Sequence, residues 1–217
     1  MFAKFKKVML VFCSGALLLA TAGCGGNAAP VEPTNSLPTA ASTTSSSSPS
    51  VSPSLTEKPT PTPIPGSSKG PAKNWPVPKM PEAAKKKNEV GIKAFAEYYY
   101  ALVEYTIQTN DTKPIKHLTE PTCVECASGF IDPFDNNRKA GAWLAGADFE
   151  ITVTKSILQP KNGVVLYTST QSEMVAYMSD GTRQGVFPAS DKPFPATMLL
   201  SWDDGWSVET LEYLDVK

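Results

Sequence analysis

Histidine is almost missing from the chain, because His117 is the only one among 217 residues. Ser-His-Asp or Cys-His catalysis would therefore have to use this one imidazole. A lone histidine serves best as an acid or base when a carboxylate orients it. Glu120 is close in sequence, but both residues lie in a short segment that we expect to face solvent. His117 is therefore predicted to be a surface residue.

The second part of the chain has no excess of basic residues. Residues 79–217 contain 14 Lys and Arg against 19 Asp and Glu, a net charge of −5. Proteins that bind nucleic acid neutralise phosphates with a basic stripe. Because this domain is acidic and its charges are scattered, we do not expect nucleic acid to be its partner.

No apolar run is long enough for a comfortable membrane span, which takes about 20 residues. The longest run, Val8 to Ala20, follows three lysines and precedes small residues, as in a secretory signal peptide. The sequence Thr21-Ala22-Gly23-Cys24 resembles a lipobox, with Thr21 in place of the usual aliphatic residue. We expect a signal peptide over 1–23 and a diacylglyceryl anchor on Cys24, at the outer face of the cytoplasmic membrane. An uncleaved membrane anchor and a soluble secretory leader are the alternatives.

Branched and aromatic residues are scarce between the leader and about residue 78, whereas 13 of the 20 prolines lie between Pro30 and Pro81. Such a segment cannot bury enough apolar surface to offset the entropy of ordering. Residues 24–78 are therefore predicted to be a disordered Pro/Ser/Thr tether. Residues 79–217 are predicted to form one domain of ordinary size.

The domain begins with helical patterns. Glu89 to Gln108 contains no proline, and its apolar residues recur with the period of a helix. The run Tyr98-Tyr99-Tyr100 is expected to belong to the core and its rim. A short helix is predicted over 113–118, and Thr122 with Glu125 predicts a capping box for a third helix, which Pro133 interrupts near residue 132.

Period-two patterns follow after Gly141. They predict strands over 149–154, 164–177, 182–187, 196–202 and 206–214, with a loop at 188–195. Helices followed by an antiparallel meander indicate an α+β fold. The expected architecture is a group of N-terminal helices packed on a curved antiparallel sheet.

Two cysteines, Cys123 and Cys126, lie in the predicted domain one helical turn apart, about 5–5.5 Å between Cα atoms. Disulfides are typical of exported proteins, so a structural disulfide is the main hypothesis. A redox dithiol is an alternative because a helix N-terminus lowers a thiol pKa. A metal site would have only His117 as a third ligand, so no metal or cofactor is predicted.

The long first helix, the two shorter helical pieces and the antiparallel meander resemble the SnoaL-like, ketosteroid-isomerase-like cone of the nuclear transport factor two superfamily. The final segment Trp202-Asp203-Asp204-Gly205-Trp206 is similar to the last hairpin of such domains. The lipobox, the tether, Thr109-Asn110-Asp111 and Cys123-Val124-Glu125-Cys126 together resemble a group of actinobacterial lipoproteins. The resemblance implies a cone with a pocket between helix and sheet, and it implies no activity.

In the predicted pocket, the inward positions Phe149, Ile151 and Val153 are apolar. Asp148 and Glu173 are the weak candidates for acid–base groups, and the Asp203-Asp204-Gly205 turn is too poor in ligands for calcium. The preferred hypothesis is a non-catalytic binding or scaffolding domain for an envelope protein, a wall component or a small apolar ligand. An isomerase or dehydratase that uses the pocket is the alternative.

Overall fold

A computed structural model describes residues 61–214. Its helices follow the predicted order. A 3₁₀ turn over Glu82–Lys85 precedes the long helix α1 (Glu89–Thr109), and the short helices α2 (Lys113–Lys116) and α3 (Val124–Cys126) come next. A π-helical turn over Ala127–Ile131 joins α3 to α4 (Asp132–Ala140), whose first turn contains Pro133. The predicted order of the helices is confirmed, although the helix predicted over 113–118 ends at Lys116.

Helix α1 begins and ends where its local chemistry dictates. The Asn88 side chain caps the start by accepting a hydrogen bond from the Gly91 N–H, 2.7 Å away. Asn110 ends the helix in the left-handed conformation, with φ 56°, which asparagine tolerates better than most residues. The Asn110 side chain donates to the Ala142 carbonyl, so the end of α1 is fixed to the chain that enters the first strand.

In the part of the chain that the structure describes, seven strands form two antiparallel sheets. Strands β2 (Phe149–Leu158), β3 (Asn162–Gln171), β6 (Phe194–Trp202) and β7 (Trp206–Tyr213) form one sheet in the order β2-β3-β6-β7. Strands β1 (Trp143–Gly146), β4 (Met174–Tyr177) and β5 (Arg183–Phe187) form the other in the order β1-β4-β5. Helices packed against antiparallel sheets confirm the α+β class, and the arrangement is consistent with the expected cone.

The predicted single strand over 164–177 is wrong, because the chain changes sheet at Ser172. The Ser172 hydroxyl accepts hydrogen bonds from the backbone N–H groups of Ala147 and Asp148. Gly146, with φ 89°, lies so close to this corner that a Cβ there would be 2.1 Å from the Glu173 carbonyl oxygen. Only glycine fits, and the strand pairs β1–β4 and β2–β3 meet at this bend. Strand β1 was not predicted.

The core lies between α1 and the four-stranded sheet. Alternate residues of β3, β6 and β7 point inward and are buried, as in a half-buried strand. Helix α1 contributes its apolar face to the core, whereas Val90, in the first turn of the helix, is 69% exposed. The largest fully buried side chains of residues 61–214 are those of Tyr99, Tyr167, Phe95, Ile92, Leu102, Ile115, Met198, Leu200 and Leu211.

The described part of the predicted tether, residues 61–78, contacts the domain. Ile64 and Lys73 form an antiparallel bridge, and the Trp143 indole donates to the Ser67 carbonyl at 2.8 Å. Gly66 is buried, and a Cβ on it would be 2.5 Å from the Leu144 carbonyl oxygen. The ordered contacts therefore start before the predicted boundary at residue 79. Backbone groups and one glycine supply these contacts, and hydrophobic patterns in the sequence cannot reveal them.

Candidate binding cleft

A cleft of about 300 Å³ opens at one end of the four-stranded sheet. We call it the first cleft, and it is lined by Phe149, Ser169, Thr170, Gln171, Ser190, Phe194 and Tyr213. Phe149 begins β2, Gln171 ends β3, Phe194 begins β6 and Tyr213 ends β7. Antiparallel pairing places these four strand ends side by side. The register of the sheet thus builds the cleft.

The walls of the first cleft are aromatic. Phe194 and Tyr213 are 51% and 49% exposed, although side chains of this size usually bury more of their surface. Phe149 is partly buried and packs against the core. The cleft therefore presents apolar surface to solvent.

The polar part of the first cleft comes from hydroxyl and amide groups. The Ser190 hydroxyl accepts from the Gln171 N–H at 2.9 Å, and the Ser190 N–H donates to the Gln171 carbonyl, also at 2.9 Å. The Gln171 side chain donates to the Pro188 carbonyl. These bonds hold the predicted loop at 188–195 against the end of β3, so one wall of the cleft has a defined position.

A second cleft of about 540 Å³ adjoins the first and shares Gln171, Ser190 and Phe194 with it. Phe187 lines this second cleft and is 37% exposed, and Asp191 and Lys192 contribute one charge of each sign. Both volumes are within the range of small-molecule sites.

A group of tyrosines lies beneath the first cleft. The Tyr100 and Tyr167 hydroxyl oxygens are 2.8 Å apart, and the Tyr100 and Tyr213 oxygens are 3.4 Å apart. The Tyr100 ring meets Tyr167 and Phe130 edge-on. Burial raises the pKa of Tyr100 and Tyr167 well above the ordinary value, and the neighbouring tyrosines raise that of Tyr100 further. Both are therefore neutral hydroxyls at physiological pH.

Tyr99 lies one residue away in α1 and faces a different partner. Its hydroxyl is 2.9 Å from the Thr119 hydroxyl. Burial raises the pKa of Tyr99 to about 12, and the hydrogen bond to Thr119 opposes that rise in part. The predicted assignment of the tyrosine run to core and rim agrees with these positions, and Tyr100 also connects the core to the cleft.

The candidate acid–base groups are not in the first cleft. Asp148 and Glu173 are exposed and do not line it. A third cleft, of about 390 Å³, contains Glu104 together with Tyr100 and shares Phe149 with the first. Burial raises the pKa of the Glu104 carboxyl, and the Asp148 charge raises it further. Three carboxylates, those of Glu97, Glu104 and Glu150, thus line the third cleft between α1 and β2.

His117 is exposed, as predicted, and forms no hydrogen bond with Glu120 within residues 61–214. Glu120 instead accepts hydrogen bonds from the hydroxyls of Ser201 and Ser207, at the far end of the sheet. The Glu120 N–H donates to the Val208 carbonyl, so the segment before α3 pairs with the edge of β7.

Cys123 and Cys126 are both buried, and their Sγ atoms lie 2.05 Å apart, the distance of a disulfide bond. The predicted capping box is wrong. Cys123 is the N-cap of α3, and its Sγ accepts from the Cys126 N–H.

Residues 61–214 contain no group of three or more His, Cys, Asp or Glu placed to hold a metal, and no helix in this range combines the length and apolarity of a membrane span. Cys24 lies outside the described residues.

Asp203 and Asp204 are exposed in the β6–β7 turn, where the Asp203 N–H donates to the Gly205 carbonyl.

The sequence did not predict Phe194, Ser190 and Tyr213 as site residues. The sequence does place two large aromatic residues at strand ends, with Phe194 beside a proline-rich loop. Which strand ends meet, however, depends on the order of the strands in the sheet.

Comparison with known proteins gives a family and some distant folds. The model of a family of unknown function, DUF6318, matches residues 61–212, and no curated protein matches the chain. The intermembrane-space region of the chloroplast protein ARC6 has 10% identity and a TM-score of 0.42, over 60% of this chain and 99% of that one.

Two further solved structures are similar at this level. An association domain of a calcium/calmodulin-dependent protein kinase type II homologue from Thiobacillus denitrificans has 13% identity and a TM-score of 0.36, over 58% of this chain and 94% of that one. AclR from Streptomyces galilaeus, described as a hydroxylase, has 15% identity and a TM-score of 0.34, over 58% and 79%. At such TM-scores none of the three bears on function.

Proposed function

This chain belongs to the family of unknown function DUF6318, and we propose that it is a binding lipoprotein held by a lipid on Cys24 at the outer face of the cytoplasmic membrane. Its domain would take a small apolar ligand without changing it chemically. The observation that carries the binding role is the first cleft, where half-exposed Phe194 and Tyr213 stand over a hydroxyl-lined end of the sheet.

Apolar walls supply affinity, because removing aromatic surface from water is favourable by about 25 cal/mol per Å². The hydroxyl and amide groups supply orientation, as is usual in small-molecule sites. Exposed aromatic surface is costly in a soluble domain unless something covers it part of the time. A ligand in the cleft meets that need.

The composition of the first cleft supports a non-catalytic role. Neither a carboxylate nor an imidazole lines the first cleft within the described part of the chain. Isomerase and dehydratase chemistry both need a positioned group that accepts a proton. One observation favours the enzyme alternative, namely that Glu104, with its raised pKa, shares the third cleft with Tyr100.

The binding role is tested on the mature chain without its lipid, residues 25–217, with N-phenyl-1-naphthylamine as the probe. Its fluorescence rises on entering an apolar site. We expect saturable binding, and we expect Phe194→Ala to weaken it roughly tenfold because one aromatic wall is lost. Leu158→Ala is the matched control, since Leu158 is also exposed but lies at the opposite end of β2. Equal weakening in both variants would count against the cleft.

The anchoring role rests on the leader and the lipobox-like Thr21-Ala22-Gly23-Cys24. Two or three acyl chains on one residue give durable attachment, whereas a single chain gives only marginal attachment. In Cys24→Ala we expect metabolic labelling with palmitate to disappear and the protein to leave the mature membrane-bound fraction. Continued labelling of that variant would exclude Cys24 as the lipid site.

A further inference from the structure

The third cleft has an acidic lining. On α1, Glu97, Tyr100 and Glu104 follow one another at spacings of three and four residues, so they share one face of the helix. Across from them the first residues of β2 form the other wall, and Glu150 is the second residue of that strand. The residues that line this cleft include no Lys, Arg or His. Its three carboxylates are therefore not balanced by any cation in the lining.

Little positive charge lies close to these carboxylates. Lys93 is 3.9 Å from Glu97, and both side chains are about half exposed, so this ion pair is weak. Within residues 61–214 neither Glu104 nor Glu150 takes part in an ion pair. Burial raises the pKa of Glu104, and the charge of Asp148 raises it further. A cation that entered the cleft would stabilise the ionised form of Glu104.

The third cleft adjoins the first cleft through aromatic side chains. Phe149 lines both clefts. Tyr100 lines the third cleft and Tyr213 lines the first, and their hydroxyl oxygens are 3.4 Å apart. The ring centroids of Tyr100 and Phe149 are 6.4 Å apart. An uncharged aromatic cleft and an acidic cleft therefore lie on the two sides of the same aromatic residues.

This pair of clefts is complementary to a ligand with an apolar body and a positive charge. The first cleft has no charged residue in its lining, so it contributes apolar surface and hydroxyl groups. An ammonium group is attracted by carboxylates and by the face of an aromatic ring, and the third cleft contains both. A cleft lined by charge of one sign also raises the local concentration of the opposite charge. An anionic ligand would be repelled.

We propose that the ligand of the first cleft is an apolar molecule that carries a positively charged amine, and that this amine lies in the third cleft beside Glu104. Phe149 and Phe194 would hold the apolar body. This assignment rests on the proposed binding function and names the charge class of its ligand. Glu104 then serves as a counter-charge and not as a base, which accounts for its position next to Tyr100 without any chemistry.

Two probes with the same naphthalene body test the assignment on residues 25–217. 2-(Aminomethyl)naphthalene is a cation at neutral pH, whereas 2-(hydroxymethyl)naphthalene is uncharged. Each competes with N-phenyl-1-naphthylamine, and the measured quantity is the ratio of the two dissociation constants. We expect the amine to bind about tenfold more tightly than the alcohol. Because salt screens exposed charges, this ratio should fall when NaCl is raised from about 50 mM to about 500 mM.

Glu104→Gln removes one carboxylate charge and keeps the shape of the side chain. We expect it to lower the ratio about fourfold, the effect of one unit charge about 5 Å away in water. The alcohol should bind as before, which shows that the cleft has kept its shape. Glu89→Gln is the matched control, because Glu89 is exposed in the first turn of α1, roughly 22 Å along the helix from Glu104. Its ratio should equal that of the unaltered protein.

The outcomes separate this inference from the binding function. If N-phenyl-1-naphthylamine binds saturably but the amine competes no better than the alcohol, the cationic ligand is overturned and the binding function stands. The same conclusion follows if Glu104→Gln and Glu89→Gln give equal ratios. If N-phenyl-1-naphthylamine does not bind saturably to the unaltered protein, the proposed function and this inference fail together.

Discussion

Aromatic residues lie at both ends of the four-stranded sheet, but the two ends differ in how these residues are covered. Trp202 and Trp206 lie at one end, where β6 turns into β7. Phe194 and Tyr213 lie at the other, where β6 begins and β7 ends. We call these the closed end and the open end.

At the closed end every large aromatic group has a partner. The Trp206 indole is 3% exposed and donates to the Lys86 carbonyl at 3.0 Å. Trp202 meets Trp206 edge-on with ring centroids 4.7 Å apart, and the Lys87 ammonium lies 5.7 Å from the Trp202 ring centroid. The chain before α1 thus covers this end, with a cation–π contact at its rim.

At the open end the aromatic groups have no such cover within the described residues. Phe194 and Tyr213 keep about half of their surface in solvent, and the loop that holds Ser190 stands beside them. Both ends therefore contain aromatic residues, but those of the closed end hold the chain together. This difference in cover is what the proposed binding role of the open end would require.

The largest effect expected from this comparison is on stability. Trp206→Ala should lower the free energy of unfolding by about 3–5 kcal/mol, since it leaves a cavity and removes a hydrogen bond. Phe194→Ala should cost less than about 1 kcal/mol because the ring is already half in water. Urea denaturation measures both values. Equal losses in the two variants would show that the aromatic residues of the two ends contribute equally to stability.

An effect of intermediate size on stability is expected for the cysteine pair, which lies beside the closed end. Replacing both Cys123 and Cys126 with Ala should lower stability by at most about 2 kcal/mol, because a disulfide there closes a loop of only four residues. The segment that pairs with Val208 should loosen. Binding of the naphthylamine probe at the open end should stay within about twofold of the unaltered value.

Thiol alkylation of the protein purified from its own cells provides the complementary measurement. On the proposed location outside the membrane, where disulfides persist, we expect no free thiol on Cys123 or Cys126 before reduction. Disulfide exchange with a model substrate, or zinc in the purified protein, would contradict a structural role for the pair.

The sequence predicted the closed end far better than the open end. The long helix, the final hairpin and the inward alternation of β6 and β7 all follow from periodicity, because a half-buried element repeats its burial with a fixed spacing. Trp202, Asp203-Asp204-Gly205 and Trp206 are adjacent in the chain, so their neighbourhood can be predicted without the fold. The predicted pair Cys123 and Cys126 is local in the same sense.

The open end depends on long-range placement. Phe149, Gln171, Phe194 and Tyr213 come from four strands, and only the order β2-β3-β6-β7 brings them together. The strand change at Ser172 depends on side-chain to backbone hydrogen bonds that carry no periodic signal. Prediction from the alternation alone therefore joined β3 and β4 and could not identify the residues of the cleft.

The smallest effect concerns the buried tyrosines and appears only at high pH. Burial raises the pKa of Tyr99 to about 12, whereas in the unfolded chain it ionises near 10. Above about pH 10 the unfolded state therefore holds fewer protons than the folded state, so stability falls as the pH rises. The stabilisation from the neutral hydroxyl is complete below about pH 10 and is lost as the pH rises through the folded pKa.

For Tyr99 this loss amounts to about 1 kcal/mol between pH 10 and 11. Urea denaturation at the two pH values measures it, and tyrosinate absorbance shows whether the phenol ionises before or with unfolding. In Tyr99→Phe the fall in stability over this interval should be smaller by that amount, because the residue that resists ionisation is gone. Tyr177→Phe, in the other sheet, is the control. An unchanged pH dependence in Tyr99→Phe would mean that the Tyr99 hydroxyl reaches solvent, which would contradict its burial between α1 and the sheet.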